Sequence, residues 1–372
     1  MTIRASPDEI AEWSIDDTES LIRGEPGSAS PGAPALARVS DGFWLSDGRI
    51  LVVDVGADAM HLYDSAGRFI RTFGRNGSGP REFSWIRSVS VIGEDSIVAY
   101  DAALRAVKIF HPDHGFVRSE RIDSPRGATG SAEAWRLPGN RYVYLTSSPA
   151  DPAFDLAAAA EALGPGEIRE LPEVATLDLI GGDSILADPI QFPGTSSGLF
   201  AGGSVLQPFA AAPVVHVDSS LVYFGSGRTF TITEVDSDFE LRRVIRWPAF
   251  QEPLRTEEVD SLRDVLADAG FGRSAVAAML SDELTPDTRP AVGRIAVDSE
   301  RRIWVARFEP RIGLASERIL YVLRPSGRPL AKVRLRGNRR ARLLDVRGRR
   351  VLLLTWDDFD VPTIESGTLR RG

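Results

Sequence analysis

Residues 43–73 read FWLSDGRILVVDVGADAMHLYDSAGRFIRTF and contain four short apolar runs that are separated by turn residues. β-Branched and aromatic residues dominate these runs, and Gly, Asp or Ser stands between them, which is typical of strands joined by tight turns. A sheet of four such strands cannot bury both of its faces alone. The stretch therefore predicts one four-stranded sheet that packs between further copies of the same unit.

The unit recurs along the chain, and its second strand is the easiest part to follow. Six residues anchor that strand: Ile50, Ile97, Tyr142, Val222, Ile303 and Val351. Three intervals between neighbouring anchors are 45–48 residues long, and two are 80 or 81. Because a propeller blade takes about 40–50 residues, each long interval holds one blade and an insertion. The sequence therefore predicts an all-β fold, a six-bladed β-propeller whose sheets stack radially.

The two ends of the chain are predicted to close the ring together. The last unit is one strand short, because the chain ends after three strands. An apolar stripe around Trp13 offers the missing outer strand, and a loose N-terminal tail is the alternative. We therefore expect residues 1–34 to supply a closing strand and a linker, and residues 35–372 to form the propeller.

The two long intervals are predicted to contain small helical insertions. Residues 149–172 include an Ala-rich, helix-prone run, and residues 253–290 include a helix start at Thr256 followed by apolar residues at helical spacing. Insertions into a repeat often lie on its binding face. Packing over one rim of the ring, without a binding role, is the alternative.

Composition excludes several classes of protein. The chain of 372 residues has 52 acidic and 44 basic residues, a net charge of −8, which argues against a nucleic-acid partner. Cysteine is absent, which excludes disulfides, thiolate zinc sites and cysteine nucleophiles. Every apolar run is shorter than the ~18 residues of a membrane span.

The start of the sequence lacks a cationic end followed by an apolar run, so it shows no signal peptide. Two readings fit this observation: a cytoplasmic protein, or a mature exported form that carries an added Met1. We expect the second, and therefore an extracytoplasmic location, periplasmic or secreted.

The segment GRNGSGPREF, residues 74–83, connects the first unit to the second and resembles the inter-blade connector of NHL-type propellers. Residues 43–122 as a whole resemble NHL repeats, and residues 291–335 do so less closely. The resemblance implies a bacterial propeller of a kind that is often secreted or lipid-anchored. Members with known roles bind proteins, RNA or small molecules, and a few are enzymes, so the resemblance supports a fold more than a reaction.

Three sequence patterns that often indicate a catalytic or ligand site are not supported by the residues around them. Residues 74–79 are glycine-rich but lack the Lys-Ser/Thr and the helix of a phosphate-binding loop. Residues 194–198 fit the pattern of a nucleophile elbow, but they read as a flexible loop without the required strand and helix. Of the four histidines, His216 is expected on an innermost strand at the channel, and one histidine does not make a zinc site.

The candidate site is defined by position in the fold. In a propeller, the ends of the second strands and the loops after them converge on one face. In this chain those exits carry charges of both signs and one aromatic residue: Asp54, Asp101, Arg105, Arg228, Arg307, Trp356 and Asp357. Opposite charges there form either weak rim ion pairs or the polar contacts of a pocket. We predict a binding protein that recognises a small polar ligand or a protein partner at this face.

The alternative is a hydrolase or lyase that uses acidic residues at the same face with a divalent metal. Residues 357–360 read DDFD, and Ca²⁺ prefers such hard oxygen ligands. Their spacing is not that of an EF-hand loop, and a solvated acidic turn is the simpler interpretation. We therefore expect no cofactor, with Ca²⁺ as the exception to test, and binding rather than catalysis.

Overall fold

The computed structural model of the chain describes residues 1–27, 31–93, 95–123, 132–151, 153–164, 167–182, 184–201, 203–218, 220–310, 318–335, 341–357 and 359–371. Six antiparallel sheets follow one another in this part of the chain, and β1 (Glu12–Arg23) precedes them. The predicted all-β, six-bladed propeller is confirmed.

Within each blade the first strand is innermost and the fourth is outermost. The first blade consists of β2 (Val39–Trp44), β3 (Ile50–Asp54), β4 (Ala59–Tyr63) and β5 (Phe69–Phe73). The second consists of β6 (Ile86–Ile92), β7 (Ser96–Asp101), β8 (Ala106–His111) and β9 (Gly115–Arg121). The third consists of β10 (Ala132–Leu137), β11 (Arg141–Pro149), β12 (Ile168–Gly181) and β14 (Ile190–Phe200), with the short strands β13 (Ser184–Ile185) and β15 (Gly203–Leu206).

The second half of the ring repeats the arrangement. The fourth blade consists of β16 (Val214–Val217), β17 (Leu221–Gly225), β18 (Thr231–Asp236) and β19 (Leu241–Arg246). The two-stranded sheet after it pairs β20 (Glu252–Pro253) with β21 (Thr288–Arg289). The fifth blade consists of β22 (Arg294–Val297), β23 (Ile303–Ala306), β24 (Arg318–Leu323) and β25 (Pro329–Leu335). The sixth consists of β26 (Ala341–Arg347), β27 (Arg350–Trp356), β28 (Pro362–Arg371) and β1.

Six apolar clusters hold the ring together, one between each pair of neighbouring blades. In the cluster between the first and second blades, Met60 and Leu62 pack with Ile97 and Phe110. Radial stacking thus buries the apolar faces that a single blade leaves exposed.

The N-terminal segment closes the ring, as predicted, so the loose-tail alternative is wrong. Strand β1 pairs antiparallel with β28, with Ile15 opposite Leu369, and Trp13 is 5% exposed in the cluster between the fifth and sixth blades. Trp13 also pairs in parallel with Val333 of β25, the outer strand of the fifth blade.

The segment also reaches the fourth blade. Ile3 donates from its N–H to the carbonyl of Arg246 at 2.7 Å and is buried, and the Trp247 indole donates to the carbonyl of Ala5 at 2.8 Å. Residues 1–23 therefore form an N-terminal strap that joins the outer edges of three blades.

Both predicted insertions contain helices: α1 (Leu156–Glu161), α2 (Thr256–Asp268) and α3 (Arg273–Met279). Asp155 caps α1, because its carboxylate accepts the N–H groups of Ala157 and Ala158. Leu262 and Leu266 of α2 pack on Phe308, just after β23, so α2 lies over the face where the second strands end. No helix in the described ranges is long and apolar enough to cross a membrane.

One local prediction is wrong: residues 194–198 are not a flexible loop but part of strand β14, which pairs with β12. The Gly, Ser and Pro residues of this segment suggested a loop. At Gly194 the close approach of the partner strand explains the glycine, since an added Cβ would lie 3.0 Å from the backbone of Glu173.

Candidate functional site

Asp54 is the last residue of β3, and it is completely buried. Its carboxylate accepts the N–H groups of Ala37 at 2.7 Å, Arg38 at 2.8 Å and Gly56 at 3.0 Å. The side chain therefore ties the segment that enters the first blade to the end of the second strand, and its oxygens face the backbone.

Asp101 plays the same part in the second blade, where it is also completely buried. It accepts the N–H groups of Ser84 at 2.9 Å and Trp85 at 3.2 Å. The ammonium of buried Lys108 lies 3.4 Å from the Asp101 carboxylate and also donates to the carbonyl of Glu82. Burial lowers the pKa of Lys108, and the charge of Asp101 opposes this shift. These contacts hold the connector that resembles NHL proteins.

Four other predicted site residues have separate local contacts or exposure. Arg105 is exposed with a φ of 50°, and Arg228 donates to the hydroxyl of Ser196 at 2.6 Å. Trp356 packs at the edge of the cluster between the sixth and first blades. Asp357 accepts two backbone N–H groups of its own turn at 2.9 Å each, and Asp358 lies outside the described residues.

Arg307, the seventh, lines a cavity at the predicted face. Its guanidinium pairs with Glu252 and lies 5.5 Å from the ring centre of Phe250. We call this the mouth cavity; it has a volume of about 230 Å³ and lies between the fifth and sixth blades. Its walls are mainly apolar and include Ala296, Ala306, Ile319, Leu320, Leu335 and Leu343. Its lining contains none of the other six predicted residues.

The mouth cavity lies where the fifth blade departs from the first two. Ala306 pairs with Arg294 as Val53 pairs with Asp41 and Tyr100 with Ser88, so its side chain is smaller than those at the same position of the first two blades. Arg307 follows it and stands where those blades have Asp54 and Asp101, the carboxylates that hold the connector.

The connector before the fifth blade is held by its backbone instead. The N–H groups of Ala291 and Val292 donate to the carbonyl of Gly227, and that of Gly293 donates to the carbonyl of Ala306. The small side chain at position 306 thus leaves space that no connector contact needs to fill.

A second cavity, the central cavity, runs along the axis of the ring and measures about 530 Å³. Each innermost strand contributes at least one polar residue to it, and these include Asp41, Ser88, Glu133, His216, Arg294 and Asp345. His216 thus lines the channel, as the sequence predicted. Arg294 lines both cavities: it donates to Asp41 at 2.8 Å and to the carbonyl of Leu343 at 3.1 Å.

Two ion pairs lie in the lining of the central cavity. Arg87 pairs with Glu133 at 3.2 Å, as Arg294 pairs with Asp41. Burial raises the pKa of Glu133, and Arg87 opposes the shift. Burial deep in the ring lowers the pKa of His216 to about 4. At neutral pH the imidazole is therefore uncharged.

Asp41, Glu133, Arg294 and Asp345 were not predicted as site residues, because the candidate site was placed on the loops after the second strands. The signal that marks them is a charged residue on the first strand of a blade. Within the described ranges, no three His, Asp or Glu side chains come together as a metal site, so Ca²⁺ binding at Asp357 stays a prediction.

Comparison with known proteins agrees with this architecture. A family model described as a 6-bladed beta-propeller, DUF5128, matches residues 42–158. The structure resembles that of a Bacteroides fragilis protein to which export is ascribed, with a TM-score of 0.53 and 13% identity over 100% of this chain and 99% of that chain. It also resembles a DUF4221-family protein from Bacteroides vulgatus, with a TM-score of 0.51 and 7% identity over 98% and 99%.

Virginiamycin B lyase from Staphylococcus aureus is less similar, with a TM-score of 0.45 and 10% identity over 96% of this chain and 94% of that chain, and it carries no functional argument. The comparison with curated proteins gives no match. At these identities the likeness concerns the fold alone. The chain is a six-bladed β-propeller protein, and two adjoining cavities lie on or beside its axis.

Proposed function

We propose that this protein binds a small molecule in the mouth cavity, on the face where the second strands end. The observation that carries the proposal is the end of the second strand in the fifth blade. Ala306 is smaller than Val53 and Tyr100 at the same position of the first two blades, and the adjacent cavity is mainly apolar. A concave, mostly apolar pocket with a few convergent polar groups is the usual form of a ligand site. Arg294 and Arg307 supply polar groups there.

The apolar walls supply binding free energy, because burial of apolar surface is worth about 25 cal/mol per Å². The arginines orient the ligand, because guanidinium N–H groups point in fixed directions. The bound molecule therefore carries an apolar portion as well as the polar group that the sequence predicted.

Saturation-transfer NMR with indole, phenol and cyclohexanol tests this proposal. Ala306→Leu fills the cavity, and exposed Ala103→Leu on the second blade is the matched control. We expect signals with the wild type and Ala103→Leu and their loss with Ala306→Leu, with circular dichroism to verify that each variant is folded. Equal signals with folded Ala306→Leu would contradict the proposal.

A protein partner at the same face is the second candidate. Phe359, in the turn after β27, is 88% exposed, and Trp85, beside the start of the second blade, is 43% exposed. Exposed aromatic side chains are enriched at protein interfaces. A Phe359→Ser variant that keeps every interaction of the wild type in crosslinking experiments would argue against this candidate.

We also propose an extracytoplasmic location. It rests on the sequence expectation, and the Bacteroides fragilis neighbour, to which export is ascribed, is a propeller of the same kind. Fractionation of the native host with an antibody against this chain tests the location.

A further inference from the structure

We infer that the ligand of the mouth cavity is a compact apolar molecule with one carboxylate, whose carboxylate points toward the axis of the ring. The inference rests on the proposed function and adds the chemical class of the ligand to it. It follows from the distribution of apolar walls and hydrogen-bond donors around the cavity.

Part of the apolar lining comes from the third and outer strands of the fifth blade, away from the axis. Leu320 and Leu335 are each less than 8% exposed and form this wall with Ile319, and Leu343 adds to it from the innermost strand of the sixth blade. This wall offers no hydrogen-bond partner from its side chains. A polar group placed there would lose its hydration without compensation, so the apolar body of the ligand fits this end.

The polar side chains of the lining are mainly donors. Three arginines, Arg294, Arg307 and Arg342, and one carboxylate, Glu309, line the cavity. A guanidinium donates five N–H bonds and accepts none. The lining therefore favours a head group that accepts hydrogen bonds over one that donates them.

Arg294 is the donor best placed for that head group, because it lines both cavities. Its described hydrogen bonds go to Asp41 and to the Leu343 carbonyl, which leaves further N–H groups on the same guanidinium. Asp41 fixes the side chain in place, so little conformational entropy remains to be lost on binding.

A carboxylate suits this arrangement better than a neutral acceptor. Charge-assisted hydrogen bonds between guanidinium and carboxylate are roughly twice as strong as neutral ones. An ammonium head would instead place a like charge beside Arg294 and Arg342. The ligand is thus held with its body against the leucines and its carboxylate at Arg294.

Isothermal titration calorimetry with three matched compounds tests the inference: 3-phenylpropanoate, 3-phenylpropanamide and 3-phenylpropylamine. We expect the carboxylate to bind about tenfold more tightly than the amide, a difference of about 1.4 kcal/mol, and the amine to bind most weakly. In Arg294→Met the advantage of the carboxylate should fall to less than about threefold. Arg75→Met, a change at an 80% exposed arginine, is the matched control and should leave the advantage intact.

If Arg294→Met fails to fold because Asp41 loses its partner, the double variant Asp41→Asn/Arg294→Met carries the test. An amide that binds as tightly as the carboxylate would overturn the inference on ligand class and leave the proposed function standing. If none of the three compounds binds, and indole, phenol and cyclohexanol also give no signal with the wild-type protein, both the inference and the proposed function are wrong.

Discussion

Arg307 in the fifth blade occupies the position that Asp54 occupies in the first, since each stands four residues after the residue that anchors its second strand, Ile303 or Ile50. The carboxylate of Asp54 accepts three backbone N–H groups, whereas Arg307 lines the mouth cavity. The same position of the repeat thus stabilises one blade and opens a site in another.

Asp54→Ala should therefore reduce stability rather than ligand binding. The change leaves buried N–H groups without an acceptor, and we expect the free energy of unfolding to fall by about 2–4 kcal/mol. Urea denaturation measures this loss. Arg105→Ala, at an exposed residue of the same face, is the control and should change stability by less than about 0.5 kcal/mol. An Asp54→Ala protein of unchanged stability would contradict the structural role.

Lys108→Met tests whether the contacts of Lys108 with Asp101 and the Glu82 carbonyl hold the connector before the second blade. The ammonium of Lys108 is buried against Asp101 and the Glu82 carbonyl, so we expect its loss to destabilise the fold by about 1–3 kcal/mol. The other lysine, Lys332, lies 3.9–4.0 Å from its acidic partners. Lys332→Met should lower the stability of the fold by less. Equal melting temperatures for the two variants would show that the contacts of Lys108 do not hold the connector.

Trp13→Ala should weaken the closure of the ring. The indole is buried between the fifth and sixth blades, and truncation of such a side chain typically costs about 3–5 kcal/mol. Glu19→Ala, at an exposed position of the same strand, should have little effect. Limited proteolysis should cut β1 faster in the Trp13 variant alone, and equal cleavage of both variants would show that Trp13 does not hold the closure.

His216 should make the protein less stable in acid. Its pKa is about 4 in the folded chain against an ordinary value of 6.5, so the unfolded chain binds the proton more readily. Stability due to this group is present above pH 6.5 and is lost as the pH falls to 4, by up to about 3 kcal/mol. Burial raises the pKa of the Glu133 and Asp345 carboxyl groups, so the folded chain binds their protons more readily than the unfolded chain does. These two groups therefore stabilise the folded chain in acid and oppose the loss of stability due to His216.

The measurement is the difference between urea midpoints at pH 7 and pH 4. His216→Gln should lose less stability over this range than the wild type. His111→Gln, at the partly exposed last residue of β8, is the control. A His216→Gln protein with the pH dependence of the wild type would contradict the assignment.

The sequence predicted the number of blades and their closure, because the strands recur with a measurable period and Trp13 is an isolated apolar signal. It did not predict strand β14, since Gly194 and its neighbours have the composition of a loop and only the approach of β12 explains them. Strands β12 and β14 belong to the blade that contains a long insertion, and their pairing leaves no local pattern in the sequence.

Of the predicted site residues, Arg307 lines the mouth cavity, and the other polar groups of that cavity were not predicted. Arg294 and Asp41 belong to first strands, where a single charge among apolar residues looks like a surface position. Their meeting across the axis depends on the closed ring. The significance of Ala306 becomes visible only when the register of each blade is known.

The N-terminal strap has a consequence for how the protein is made. A ribosome produces β1 before the six blades and β28 after most of them, so β1 has no pairing partner in β28 until the last blade has been synthesised. During that time its edge is open to wrong partners, including the same strand of another nascent chain. We therefore expect chaperones to bind the nascent chain mainly within its first two dozen residues. A circular permutant that begins at β2 and ends with β1 should fold with less help from chaperones.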